Sequence, residues 1–414
     1  MKRHIAQLGG TTTRGDCKAA LDLLVHPSQL VDGPALAEYE RAFADTVGAR
    51  EAVSFAHGRV GLYASLKVLG IGPGDEVIVP TPTHIVVPNA VRYAGAVPVY
   101  ADCHADTYCI DLEQAESLVG PRTRLLIVQH TFGNLVDLDA AEAFAERHGL
   151  EMLEDCVHAL GATYRERRVG TNGRAAFFST EETKTISTTM GGIVVTDDSG
   201  FADALRELQR EAEPPPRNLV AQYLVKLVVY HALTEPNIHR WPRPVYELLG
   251  RRNPLPGPTT ASERSGDRPK GYLQRFSNGQ AVIGLRQLGR LESNVAHRRA
   301  ISRRYDELLR DRLPAGVTAP PGSEPALVRY PVRVPDRGAV VKAMSRHVVL
   351  GEWFTSVLEE ADTPSQGGYV DGTCPRAEEV SRHLVNLPTH PRVTAEDAER
   401  MAGALLDAVS DGAA

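Results

Sequence analysis

The chain has 414 residues, more than a single hydrophobic core usually supports, so we expect two domains. Hydrophobic residues make up 42% and charged residues 24% of the chain, which is typical of a soluble globular protein. The 46 basic and 52 acidic residues give a formal net charge of −6. These counts do not require a strongly basic surface patch, which argues against nucleic acid as the main partner.

The five cysteines are widely spaced, form no C-x-x-C pair and are odd in number, which indicates neither a disulfide framework nor a zinc site. This usage favours a reducing cytoplasm. The N-terminus MKRHIAQLGGTTTRGD has no apolar signal-peptide core, and no stretch approaches the roughly 18 apolar residues of a spanning helix. We therefore expect a cytoplasmic protein with no metal site and no integral membrane association.

Short apolar runs alternate with amphipathic segments between residues 50 and 200. Strands are predicted at 76–80, 97–101, 124–129, 150–154 and 192–196. Helices are predicted between them at 59–69, 86–94, 111–119 and 137–148. Near-continuous apolar strands separated by helices indicate an α/β domain with a parallel or mostly parallel sheet covered on both faces. Such sheets carry their chemistry at the carboxyl ends of the strands.

The composition changes near residue 250. Residues 251–270 are rich in proline, glycine and polar side chains and predict a flexible loop or linker, which we extend to residue 278. Residues 279–313 combine helical periodicity with abundant charge and predict a long helix that bridges two domains. Strands are then predicted at 326–334, 348–354 and 383–388, and a last helix at 394–409. The predicted organisation is a large domain over 1–250, a linker over 251–278, and the bridging helix with a small α/β domain over 279–414.

Three residues of the predicted large domain are candidates for chemistry. Asp155 follows an apolar strand, where a parallel sheet opens onto a ligand, although a helix N-cap is an ordinary use of aspartate there. Gly58 begins a helix whose free N–H groups and positive dipole end suit a phosphate. Lys184 is the single lysine of FFSTEETKTISTTMGG, and a surface lysine is its alternative interpretation.

A phosphate cradle, a strand-end carboxylate and a lone lysine are what pyridoxal phosphate needs. The lysine forms an imine with the cofactor's aldehyde, the carboxylate keeps the pyridine nitrogen protonated, and the cradle fixes the ring. The glycines of GIGPGD follow a helix and precede a strand, the reverse of the dinucleotide fingerprint, so we reject a dinucleotide site.

Ordered motifs across the chain resemble the DegT/DnrJ/StrS family of aminotransferases, which aminate nucleotide-linked keto-sugars and cyclitols. The matching segments include LGIGPGDEVIVPTPT, HTFGNLVDLDA, LEDCVHALGATY, FFSTEETKT and RFSNGQAVIGLRQLGRL. The resemblance implies the type I fold of pyridoxal-phosphate enzymes: a large domain with a mostly parallel seven-stranded sheet between helices, and a smaller C-terminal α/β domain. It also implies pyridoxal 5'-phosphate as cofactor.

The resemblance carries roles onto five residues. Lys184 resembles the lysine that binds the cofactor covalently, and Ser179 a ligand of its phosphate. Asp155 resembles the partner of the pyridine nitrogen. His158 stands where relatives commonly have glutamine or histidine near the phenolic oxygen. Asn278 resembles the asparagine that reaches the phosphate of the neighbouring subunit, which implies a homodimer with shared active sites.

Three positions depart from the family pattern. Gly58 is followed by Arg59 where many relatives have threonine; this arginine could pair with the phosphate, read an acidic substrate, or be a solvated helix-end residue. His84 stands where relatives stack an aromatic side chain on the ring, and a loop histidine is its alternative. Met190 replaces a glutamate found in many relatives before two glycines, and most often such a methionine indicates packing.

An insertion between Lys184 and Asn278 is longer than in the family's sugar aminotransferases. It contains a helical segment at about 210–250, apolar at helical spacing over 219–250. This segment could cover the active site, extend a dimer contact or lie on a membrane surface; dimer or lid packing is favoured because the segment is not strongly basic.

The resemblance implies transfer of an amino group from an amino acid donor, glutamate or glutamine, to a small-molecule keto acceptor, a nucleotide-linked keto-sugar or cyclitol in secondary-metabolite or glycan biosynthesis. The departures leave a second hypothesis open: elimination, decarboxylation or carbon–carbon bond chemistry on an amino acid with the same cofactor. A third hypothesis is a non-catalytic regulatory or scaffold relative.

Overall fold

The structure, a computed structural model, describes residues 3–7, 10–236 and 259–412. In these ranges, the α-helices are α1 Arg14–Leu24, α2 Ala35–Val47, α3 Gly58–Val68, α4 Val86–Ala94, α5 Leu112–Glu116, α6 Leu138–His148, α7 Ser199–Glu211, α8 Arg217–Leu233, α9 Ala261–Arg264, α10 Asn278–Leu288, α11 Leu291–Leu309, α12 Arg337–Met344, α13 Pro375–His383 and α14 Ala395–Gly412. The strands are β1 Glu51–Phe55, β2 Glu76–Pro80, β3 Thr83–His84, β4 Val97–Ala101, β5 Thr123–Gln129, β6 Glu151–Asp155, β7 Thr163–Tyr164, β8 Arg167–Arg168, β9 Ala175–Ser179, β10 Gly192–Thr196, β11 Ser323–Glu324, β12 Arg329–Arg333, β13 Leu358–Glu359 and β14 Leu384–Pro388.

Seven strands form the central sheet, in the order β1-β10-β9-β6-β5-β2-β4. The pairs from β9 to β4 are parallel, whereas β10 is antiparallel to both of its neighbours. Six strands therefore run in one direction and β10 runs against them. This confirms the predicted mostly parallel seven-stranded sheet.

Both faces of the sheet are buried. In β5, Leu125 and Ile127 belong to one hydrophobic core, and Leu126 and Val128 belong to another. Successive side chains of a strand point to opposite faces, so the two cores lie on the two sides of the sheet. This arrangement explains why the strand is a continuous apolar run rather than an alternating one.

A third core lies in the C-terminal part of the chain, where β12 pairs antiparallel with β14. Helix α11 connects this C-terminal core with one of the two cores of the seven-stranded sheet. Leu291 and Val295 near its start are buried in a core of the seven-stranded sheet, and Ile301 and Tyr305 are buried in the C-terminal core. The helix therefore packs on both parts of the protein.

Several predicted elements differ from the structure. The helix predicted over 279–313 is two helices, α10 and α11, because Arg290 has a non-helical backbone (φ −121°) that the continuous periodicity does not reveal. No continuous strand forms over 348–354: Gly351 makes an isolated antiparallel bridge with Asn386 of β14, and the next contact to Asn386 is from the Trp353 N–H to its side-chain oxygen (3.1 Å). Strands β1 and β9 were not among the predicted elements.

The insertion and the predicted linker are described in part. Helix α8 confirms a helix in the inserted segment, whereas residues 237–258 lie outside the described residues. From residue 259 onward the predicted linker packs on the large domain: Tyr272 is buried, and the backbone N–H of Ala56 donates to the carbonyl of Gln274 (3.0 Å).

Candidate active site

A cavity of about 570 Å³ opens where the strands of the central sheet end. Gln129 ends β5, Asp155 ends β6 and Ser179 ends β9, and all three line the cavity. Gly58 adds the first turn of α3. The opposite wall comes from residues 350–360 and from Arg329 at the start of β12.

Lys184 lies inside this cavity and is only 7% exposed, which excludes the surface-lysine interpretation. Its Nζ is 4.4 Å from the centre of the Trp353 ring. Burial lowers the pKa of this amine to about 8, a shift that Glu181 opposes and Arg329 reinforces. The amine can therefore exchange between its charged and neutral forms near physiological pH.

The Asp155 carboxylate has one oxygen held by the protein and one aimed at no protein donor. Its Oδ1 accepts from the backbone N–H of Val157 (3.1 Å), within a turn rather than at a helix start, so the N-cap interpretation is wrong. Its Oδ2 is buried and has no hydrogen-bond partner among the described residues. Burial raises the pKa of the carboxyl to about 7, although the Val157 hydrogen bond and Lys184 oppose the shift.

His158 lies three residues beyond Asp155 and is buried. Neither ring nitrogen has a hydrogen-bond partner within the described ranges. Its ring is 5.3 Å from that of Trp353, tilted by 52°. Burial, with a smaller contribution from Lys184, lowers the pKa of His158 well below its usual value, so the imidazole is neutral.

The first turn of α3 offers an anion site. Its N-cap, His57, makes no side-chain capping hydrogen bond, so the N-terminal N–H groups lack the usual cap. Ser179 lies beside this turn: a Cβ on Gly58 would be 3.3 Å from the Ser179 Cβ. Gly192 permits the approach of β10, because a Cβ there would lie 2.3 Å from the backbone nitrogen of Gly58.

Arg59 also lines the cavity, but its guanidinium is paired. Its Nε is 2.5 Å from Glu263 Oε1, and its Nη2 donates to Glu263 Oε2 at 3.1 Å. Glu263 belongs to α9, in the segment that the sequence predicts as a linker. This pair excludes the solvated helix-end alternative, and the phosphate or substrate role of Arg59 stays a prediction.

His84 forms part of the cavity wall in β3. Its Nδ1 accepts from the backbone N–H of Val86 (3.3 Å), and its Nε2 is 3.6 Å from Glu360 Oε2. Its ring meets that of Trp353 edge-on, with centroids 6.0 Å apart. His84 is therefore a fixed part of the site rather than a surface loop residue, although its stacking on the cofactor stays a prediction.

Met190 and Asn278 have contrasting positions. Met190 is buried at the cavity, and its carbonyl accepts from Thr188 Oγ1 (2.7 Å). Asn278 does not line the cavity: its Oδ1 accepts from the Ala35 N–H (3.0 Å), and its Nδ2 donates to the Gln29 carbonyl (2.7 Å). Its expected role concerns the site of a neighbouring subunit and stays a prediction.

Sequence reasoning missed the opposite wall, chiefly Arg329, Trp353 and Glu359. Arg329 lies in a predicted strand and Trp353 in a segment wrongly predicted as one, so neither carried a signal of function. These residues line the same wall only because the C-terminal core packs against the domain that contains the seven-stranded sheet.

A buried cluster of His130, Glu154 and Cys156 lies near the ends of β5 and β6 but does not line the cavity. His130 Nε2 is 3.1 Å from Glu154 Oε2, and Nδ1 of the same ring accepts from the Val136 N–H (3.3 Å). Glu154 also accepts backbone N–H groups from Gly170 and Asn172. These polar atoms form hydrogen bonds with one another and with the backbone, as expected of a structural network.

The cavity fits pyridoxal phosphate. The orphaned Oδ2 of Asp155 suits a protonated ring nitrogen, the unpaired nitrogens of His158 suit the phenolic oxygen, and the uncapped turn at Gly58 suits the phosphate. Lys184 supplies an amine in the same cavity.

Comparison with known proteins agrees with this geometry. The sequence model of the DegT/DnrJ/EryC1/StrS aminotransferase family matches residues 13–406. The chain belongs to this family. It is a pyridoxal-phosphate-dependent aminotransferase with the type I fold.

Individual members of the DegT/DnrJ/EryC1/StrS family are similar over nearly their whole length. GDP-perosamine synthase of Caulobacter vibrioides is 31% identical over 90% of both chains. The spore coat polysaccharide biosynthesis protein SpsC of Bacillus subtilis is 29% identical over 92% of this chain and 91% of its own. The crystal structure of DesV from S. venezuelae is 28% identical, with a TM-score of 0.74 over 95% of this chain and 94% of that one.

Within residues 3–7, 10–236 and 259–412, every helix is too short or too polar to span a lipid bilayer.

Proposed function

We propose that the protein transfers an amino group from glutamate or glutamine to a nucleotide-linked keto-sugar. The similarity to GDP-perosamine synthase supports a nucleotide-linked acceptor. The observation that carries the proposal is the buried Lys184 amine in one cavity with the unpartnered Asp155 carboxylate oxygen. A keto-cyclitol is the alternative acceptor class that the family resemblance implies.

Each residue of the sheet-side wall has a proposed role. Pyridoxal phosphate, when bound, would supply an aldehyde carbon that carries the amino group and an electron-withdrawing ring that stabilises negative charge at the reacting carbon. Asp155 would hold the protonated ring nitrogen, His158 would contact the phenolic oxygen, and Gly58 with Ser179 would hold the phosphate. The charge on the ring nitrogen would in turn favour the ionised form of Asp155.

Lys184 is the proposed acid and base. Its lowered pKa provides a substantial neutral fraction, which can remove the proton from the donor's α-carbon and return a proton in the transfer to the acceptor. The Glu181 carboxylate nearby opposes further lowering, so the amine can also hold the proton between the two events.

Assembly and location are part of the proposal. We infer a homodimer with shared active sites, in which Asn278 contributes to the partner's phosphate site, and a cytoplasmic location. Sedimentation velocity tests the dimer: a sedimentation coefficient of a monomer at micromolar concentration would contradict it.

The function is tested by half-reactions. The purified protein is converted to its aminated cofactor form with a panel of amino donors, and keto-sugars, cyclitols and keto-acids are then screened for restoring the original absorbance. Restoration by a nucleotide-linked keto-sugar is expected. Restoration by a keto-acid alone would overturn the acceptor class, and the absence of a stable aminated form would favour elimination, decarboxylation or carbon–carbon chemistry.

Two lysine variants control this experiment. Lys184→Ala should retain the fold and lose both the covalent cofactor absorbance and the conversion, because its amine is essential to the proposed cycle. Lys67→Ala removes an exposed lysine of α3 and should behave as wild type. Full conversion by Lys184→Ala would contradict the assigned role.

A further inference from the structure

Arg329 is a buried cation on the C-terminal wall of the cavity. It begins β12 and is 5% exposed. Its guanidinium carbon lies 4.2 Å from the centre of the Trp353 ring. The Lys184 amine is 4.4 Å from the centre of the same ring, so both cations lie against one indole in one cavity.

The guanidinium of Arg329 has few hydrogen-bond acceptors among the described residues. Within the described residues no carboxylate forms an ion pair with it. With the Gln7 amide oriented to satisfy both neighbours, its oxygen accepts from Arg329 Nη1 at 2.8 Å and from the Gly351 N–H at 3.0 Å. A guanidinium has five N–H donors, so one acceptor leaves most of them for a ligand.

Two other arginines show what a fully engaged guanidinium looks like here. Arg298 is equally buried, but it donates to Asn294 Oδ1, the Val328 carbonyl and Thr389 Oγ1 at 2.9 to 3.0 Å. Arg59 in the same cavity is paired with a carboxylate. Arg329 differs from both, because it combines burial, access to the cavity and vacant donors.

The charge of Arg329 persists despite its burial. Burial lowers its pKa to about 10, and Glu181 and Glu359 oppose the shift. Glu359 accepts from the Thr355 N–H, and Glu181 accepts from the Thr183 N–H through Oε2, while the buried Oε1 of Glu181 has no hydrogen-bond partner within the described residues. A cation therefore faces the cavity at neutral pH and favours an anionic ligand of planar, two-oxygen geometry.

We propose that Arg329 binds the α-carboxylate of the amino donor. This inference rests on the proposed function, since the donor's amine must reach the position of the Lys184 amine. In an α-amino acid the amine and the α-carboxylate share one carbon, so a ligand that meets Lys184 carries its α-carboxylate within a few ångströms. The position of Arg329 beside the indole that Lys184 also contacts satisfies this requirement, whereas a distal side-chain carboxylate needs no such proximity.

Arg329→Gln tests the proposal in the two half-reactions separately. We expect the amination of the cofactor by glutamate to slow by about 10²-fold, because a charge-assisted bidentate contact is lost. Reaction of the aminated form with the keto-sugar should change by less than about threefold. Arg333→Gln on the same strand is the matched control, since Arg333 faces Asp106 rather than the cavity.

A binding measurement supplies a readout that does not depend on turnover. Calorimetry with 2-hydroxyglutarate, which has the α-carboxylate but no amine, should give a Kd about 30-fold to 100-fold weaker for Arg329→Gln than for wild type. The Kd of 4-hydroxybutyrate, which lacks the α-carboxylate, should be the same for both proteins. Arg329→Lys keeps the charge without the planar fork and should lie between them.

The outcomes separate the inference from the function on which it rests. A wild-type protein that no amino donor converts would overturn the proposed function. A converting wild type with an unaffected Arg329→Gln would overturn only the role of Arg329. A variant impaired solely toward the acceptor would assign the guanidinium to an acidic keto-substrate and likewise contradict the proposal. Thermal unfolding and cofactor titration verify that each variant is folded and loaded.

Discussion

The two walls of the active-site cavity are built in different ways. On the sheet side, Asp155 and Ser179 end parallel strands, and buried polar atoms are left without protein partners. On the C-terminal side, Trp353 and Glu360 lie outside regular strands and are held by contacts between side chains. We infer that the sheet-side wall performs the chemistry and that the C-terminal wall selects the ligand.

The strongest way to break this comparison is Asp155→Asn. The amide keeps the shape but cannot stabilise a protonated ring nitrogen, so we expect amino transfer to slow on the order of 10²–10³-fold. Single-turnover absorbance with a saturating donor measures the effect. Glu359→Gln, an equally conservative change on the C-terminal wall, is the control, and an equal loss there would contradict the division of labour.

The stability of the cofactor-free protein should reveal the same carboxyl. Burial raises the folded-state pKa of Asp155 to about 7, above its unfolded value, so the folded state binds more protons between these two values. The free energy of unfolding should therefore fall as pH rises from about 4 to 7, by about 2–4 kcal/mol. Urea unfolding of wild type and Asp155→Asn measures it; parallel profiles would show that this carboxyl does not titrate as described.

Gly192→Ala sharpens the comparison at the phosphate end of the sheet-side wall. The added Cβ would meet backbone atoms of His57 and Gly58, which cannot move aside as a side chain can. We expect a destabilisation of about 1–3 kcal/mol and weaker cofactor binding. Thermal unfolding and cofactor titration are the measurements. Gly403→Ala, where the Cβ meets nothing within 4 Å, should not destabilise the fold.

The smallest effect is expected from Glu360→Gln on the C-terminal wall. Glu360 and His84 are partly exposed and 3.6 Å apart, so their pairing contributes at most about 1 kcal/mol. The midpoint of urea unfolding should shift little, while the relative rates with different keto-sugars should change more. A collapse of all activity would place Glu360 in the chemistry instead.

Asp155 could be read from the sequence because it follows a recognisable apolar strand, whereas Ser179 ends β9, which the sequence did not predict, and was assigned through the family resemblance. The run LEMLE is followed directly by Asp155, and the edge of a parallel sheet at which its strands end is set by topology. Lys184 lies between β9 and β10, and its place among family motifs identified it.

The C-terminal wall could not be read in this way. Its residues enter the cavity through packing between two cores, and local patterns such as VVLGEWF suggested a strand that does not form. Arg329 differs from Arg333 only by four positions of one strand, and nothing in the periodicity shows which guanidinium lacks a carboxylate. The break between α10 and α11 was hidden for the same reason: the apolar spacing continues across it.

The indole shared by Lys184 and Arg329 gives the protein an internal optical probe. The chain has two tryptophans, so Trp241→Phe leaves Trp353 as its sole indole emitter. Removal or neutralisation of either neighbouring cation alters the field across that ring. Emission colour and intensity can then follow each stage of loading in real time, even with substrates that produce no change in the visible spectrum.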